Sequence, residues 1–83
     1  DGTVVGLAIR CATASSTGTY QVRKTNSSAS VTNLSSVSVS ASRVGSDMTM
    51  NDDFDADDAL FVYCTSGTVT GNVYATIYYR MRT

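Results

Sequence analysis

The chain contains no histidine, no glutamate, no tryptophan and no proline. Without His it lacks the commonest general base near neutral pH and a frequent metal ligand. Every side-chain carboxylate is an Asp, so a nucleophile drawn from the many Ser residues would need Lys24 or an Asp as its base. The sequence carries no catalytic signature, and we expect a non-enzymatic protein. The lack of Trp counts against stacking on sugars, and the lack of Pro leaves strand interiors uninterrupted. No apolar run approaches the roughly 18 residues of a membrane helix, and no signal-peptide pattern is visible. Charged residues make up 16% of the chain with a net charge of −1, and the basic ones are dispersed. That balance gives no electrostatic grip on nucleic acid or on a membrane surface. The chain opens on Asp1 and not on Met, which we read as a processed product or an excerpt of a longer chain.

What is present fits one small domain spanning residues 1–83. A chain of this size buries only about 60 to 65% of the surface exposed by its unfolded form, so its own core is marginal. Small domains compensate with disulfides, metals or oligomerisation, and each has a candidate here. Alternating apolar residues predict strands over Thr3 to Cys11, Tyr20 to Lys24 and Val73 to Met81. In the first of these Val5, Leu7, Ile9 and Cys11 share one parity. A serine-faced strand is expected around Val37, Val39 and Ala41, preceded by Val31 and Leu34. Val44-Gly45-Ser46 reads as a turn, Met48-Thr49-Met50 as a short strand, and Thr65 to Thr68 as a tight turn. About six to eight short strands with no helical period predict an all-β fold, a small antiparallel β-sandwich of jelly-roll-like type.

The stretch Asn51 to Cys64 changes character abruptly. Five Asp residues fall within its first eight positions, and the apolar run Leu60 to Cys64 follows. One reading is a solvated acidic loop in which Asp58, with Asp52, satisfies backbone N–H groups at a turn. The other is a calcium site built from Asp53, Asp55 and Asp57, because hard cations favour several carboxylate oxygens. The D-x-D-x-D spacing lacks the Gly and the terminal Glu of an EF-hand. No other cofactor is indicated.

Cys11 and Cys64 each close a predicted strand on its core parity. They are read either as buried thiols acting as small hydrophobes or as a disulfide across the core. The outer parity of the last strand carries Tyr74 and Tyr78 beside Arg80 and Arg82. Tyr and Arg are favoured at protein interfaces, which makes this face a candidate contact surface. The competing reading has a second sheet or a loop covering the tyrosines.

The residues F-D-A-D-D-A-L-F-V at Phe54 to Val62 resemble the F-x-A-G-D-x-L-x-V phrase of small jelly-roll-like domains in bacteriophage virions. Similar phrases occur in capsid decoration (cement) proteins, fibre-tip domains and C1q/TNF-like trimers. In this chain Asp57 stands where those domains usually have Gly. The resemblance implies that Phe54, Leu60 and Val62 are core and that Asp58 holds the turn. It further implies a structural virion protein, a capsid decoration subunit forming a homotrimer and binding other virion proteins. A receptor- or carbohydrate-binding fibre tip and a secreted extracellular filament subunit are the alternative expectations.

Overall fold

β1 (Gly2–Cys11) is the strand on which the first sheet is built. The computed structural model describes residues 1–12, 18–40, 43–69 and 71–81. Along one edge β1 pairs antiparallel with β7 (Val73–Met81) from Gly2 to Cys11. Along the other it pairs with two short pieces, β4 (Val44–Asp47) beside Leu7 to Arg10 and β5 (Asp52–Phe54) beside Gly2 to Val4. The second sheet runs in the order β3 (Val31–Val39), β2 (Gly18–Thr25), β6 (Ala59–Gly67), also antiparallel. The fold is thus a small seven-stranded antiparallel β-sandwich, with no helix among the described residues.

Three bulges reconcile the apolar pattern with two buried inner faces. In β1 the register against β7 slips between Val4 and Gly6, so Val5 is the extra residue. A strand flips faces at such a point. Val4 therefore joins Leu7, Ile9 and Cys11 in the core, and Val5 is only half-buried. This corrects the simple parity expected from sequence. In β3 an extra residue opposite Val22 brings Leu34 onto the same face as Val37 and Val39. In β6 the extra residue is Thr65, which lets Cys64 stand opposite Tyr20.

The region between β3 and β6 departs from the sequence reading for tertiary reasons. Val44 to Ser46 is not a turn but part of β4, because β1 offers it a free edge. Gly45 is there for closeness, since a Cβ would sit 2.8 Å from the Ser38 carbonyl oxygen and 3.0 Å from methyls of Val37 and Val39. Met48 to Met50 is not a strand. The chain leaves β1 there, and Met48 passes over Gly6, where a Cβ would collide with the Met48 sulfur. Met50 turns into the core and donates its N–H to the carbonyl of the bulged Val5 at 3.2 Å. Thr65 to Gly67 continues β6 where a tight turn was expected.

The core is lopsided. Val4, Leu7, Ile9 and Val22 are fully buried, each contributing about 1.5 to 3 kcal/mol by leaving water. Leu60, Val62, Cys64, Val73 and Ile77, the inward residues of β6 and β7, are only partly covered. β3 packs beside β4 on one flank, whereas the β6 and β7 flank of the sandwich stays half-open. The molecule is accordingly thin, 39 × 24 × 16 Å.

Tyr20 links the two cysteines. Cys11 and Cys64 are not joined, so the disulfide expected as one alternative does not form. Cys64 is the cross-strand neighbour of Tyr20 and gives its thiol to the Ser66 carbonyl at 3.1 Å. The Cys11 sulfur lies 3.9 Å from the Tyr20 hydroxyl. Burial, then the contact with Cys11 and the charges that Cys11 and Cys64 would carry as thiolates, push the Tyr20 phenol from 10.0 up to about 12. A phenol whose folded value lies above its unfolded one favours the folded state below pH 10 and loses that contribution as pH climbs towards 12. In an absorbance titration of tyrosinate, the step near pH 12 should therefore be missing from Tyr20→Phe. Identical curves for the variant and the parent would contradict the assignment.

Candidate interaction surface

At the acidic corner three of the five carboxylates, those of Asp52, Asp53 and Asp58, are engaged in holding the chain. Asp52 Oδ2 accepts the Ser35 N–H at 3.2 Å, tying β5 to β3. Asp53 Oδ1 accepts the Thr3 hydroxyl at 2.8 Å across the β1–β5 pairing. The segment from Asp55 to Asp58 closes on itself, with the Asp55 N–H donating to Asp58 Oδ2 at 2.7 Å and the Asp58 N–H donating to the Asp55 carbonyl at 3.0 Å. Lys24 reaches over from β2, donating to the Asp53 carbonyl at 2.8 Å with its ammonium 3.8 Å from Asp58 Oδ2. Ala29 and Arg43 are the non-glycine residues with positive φ among those described, so Asp57 needs no glycine-like backbone for this turn.

The calcium site expected from Asp53, Asp55 and Asp57 is not assembled. Asp53 faces Thr3, Asp57 is exposed, and no three such ligands among the described residues are grouped to hold a metal ion. The reason is topological: Asp53 lies in β5, whereas Asp55 and Asp57 lie in the turn beyond it. Asp47, at the end of β4, behaves similarly in taking both the hydroxyl and the N–H of Thr49. These contacts lower its pKa below the usual carboxylate value, against a smaller opposing effect of burial. Asp58→Ala should cost about 1 to 2 kcal/mol in denaturant unfolding, and Asp58→Asn less because an amide oxygen can still accept the Asp55 N–H. Unchanged stability in the Ala variant would remove Asp58 as the holder of the turn.

A cleft of about 150 Å³ at the end of β1 is lined by Arg10, Cys11, Ala12, Arg43 and Val44. It falls short of the roughly 300 to 1,000 Å³ typical of small-molecule sites. The Arg43 guanidinium there donates to the Ala12 carbonyl at 3.3 Å.

β7 is where the structure leaves apolar surface without cover. Its outer face carries Tyr74, 59% exposed, and Tyr78, 44% exposed, with Arg80 beyond them. The second sheet does not cover the two tyrosines, and the contact from the preceding loop is the Asn72 amide donating to the Tyr74 hydroxyl at 3.4 Å, which leaves the ring exposed. Arg82, the fourth residue of this expected face, lies outside the described residues. Register places Tyr74 beside Arg10, Tyr78 beside Gly6, and Arg80 beside Thr3. Val44 is the neighbour of Arg10 on its other side, and Met48 lies over Gly6, so both extend the same exposed surface.

Two further residues of this strand belong to the surface and were not expected there. Tyr79 and Met81 share the inward parity with Ile77, yet each is 56% exposed. Tyr79 meets Phe54 edge-to-face with ring centroids 6.0 Å apart, while its remaining surface faces the half-open flank. Alternation in the sequence identifies the inward side of a strand but not how far the opposite sheet reaches. On the second sheet the exposed Tyr63 is capped differently, by the Arg23 guanidinium 4.0 Å above its ring. Comparison with protein-family models, with curated proteins and with solved structures finds no match to this chain.

Proposed function

We propose that this chain is a non-enzymatic structural subunit of a virion shell, a decoration protein that works by covering β7 and the tyrosine surface beside it with other protein subunits. The observation that carries the reading is the exposure of an apolar nine-residue strand: Tyr74, Tyr78, Tyr79 and Met81 are all about half exposed or more. Exposed apolar surface of this kind marks places where proteins meet, and Tyr buries large area at modest entropic cost. A standard interface of about 800 Å² per partner would cover roughly a sixth of the 4909 Å² surface of this chain. That addition is large for a domain whose own core is one-sided, so assembly would contribute directly to its stability.

The virion setting is supported by the Phe54 to Val62 phrase. In this chain Phe54 is buried, Leu60 and Val62 pack against the core, and Asp58 closes the corner between them. The test is co-sedimentation with assembled phage shells. The chain should pellet with intact shells and stay in solution without them. Failure to bind shells, with binding to glycans or host-cell surfaces in its place, would overturn the decoration role in favour of a recognition module.

A further inference from the structure

We propose that two copies of this chain join edge to edge through β7, antiparallel and centred on Ile77, so that their first sheets become one continuous sheet. The inference rests on the assembly reading above and names the partner for the β7 edge.

The other sheet edges are protected. A free strand edge invites pairing, and proteins usually blunt it with bulges, Lys, Pro or a short strand. The edge formed by β4 and β5 is broken into two pieces by the detour through Met48 to Met50. β3 is bulged at Leu34 and Ser35, and β6 is bulged at Thr65. β7 has no bulge of its own, and its single charge is Arg80 near one end. It runs nine residues, the register slip of its ladder lies on the β1 side, and it contains neither Lys nor Pro. Among the described residues β1 is its only strand partner. Alternate residues of an antiparallel edge strand direct N–H and C=O away from the sheet, where a second strand can take them. At about 3.4 Å per residue the edge is roughly 30 Å long, most of the 39 Å length of the molecule.

The sequence of β7 then selects a second copy of itself. Residues opposite each other in an antiparallel pair point to the same face, so a register that keeps both inner faces aligned must pair residues of equal parity. The register that uses all nine residues has Ile77 facing its own copy. On the inner side it sets Ala75 against Tyr79 of the second copy and Val73 against Met81, a small residue against a large one in each case. On the outer side Thr76 faces Tyr78, and Arg80 comes over the ring of Tyr74, a cation–π pair made twice by the dyad. The exposed large residues Tyr74, Tyr78, Tyr79 and Met81 each gain a partner, and no like charges meet. Shifting the centre towards Arg80 would bring the two guanidinium groups together and leave Tyr74 unmatched.

The test is the solution mass of the full chain by analytical ultracentrifugation, for the parent, Tyr74→Lys and Tyr74→Glu, with circular dichroism to verify that each retains its strand signal. Tyr74 is exposed, so neither change disturbs the core. The parent should form dimers. Arg10 of the same chain neighbours position 74 in monomer and dimer alike; the added contact with Arg80 of the second copy, made twice across the dyad, makes Tyr74→Lys weaken the dimer by roughly tenfold, while Tyr74→Glu holds or tightens it. A parent that is monomeric at every concentration, or that forms a closed trimer, would overturn the edge pairing, as would an equal effect of the two charges. A trimer, or a monomer that still pellets with shells, would leave the decoration role standing. A dimer that does not bind shells would leave the pairing intact and remove the role.

Discussion

The structure depends on β1 having a partner on both edges and a filled inner face at once. Val4, Leu7 and Ile9 supply the deepest part of the core, and three other strands take their register from the same ten residues. The bulge at Val5 makes this arrangement work. It turns Val4 inward, offers its carbonyl to Met50, and marks the point where β4 gives way to β5 on the opposite edge. Everything on the first sheet, including the position of β7, follows from where that slip occurs.

Much of this was legible in the sequence, and the part that was not has a physical cause. Val73 to Met81 alternates without interruption, and it is β7 with those bounds. β1 and β2 were found within two residues at either end for the same reason. Val44-Gly45-Ser46 has the composition of a turn, and only the free edge of β1 makes it a strand. Bulges leave no compositional mark, so the inward roles of Val4 and Leu34 could not be read from parity. The Asp residues near Phe54 were visible as a cluster. Their division among Ser35, Thr3, the Asp55 N–H and Lys24 depends on three other strands and could not be seen.

The acidic corner and β7 illustrate opposite fates for conspicuous residues. The Asp residues draw attention by charge, and the fold engages Asp52, Asp53 and Asp58 in hydrogen bonds to β3, to β1 and within the turn. The tyrosines drew attention as an interface face, and the fold leaves them open. The sandwich is covered well where β1 faces the β2–β3 pair and poorly along β6 and β7. A small domain with that asymmetry gains more from a neighbour on its open side than from any refinement of the closed one.

β7, in this reading, is a surface to be covered by another subunit. Hydrogen exchange resolved along the chain, recorded for the monomer at high dilution and for the assembled protein, tests this. The amides of β7 facing away from β1 should become protected on assembly while those of β3 keep their rates. Equal exchange of β7 in the two states, with new protection appearing elsewhere, would contradict it.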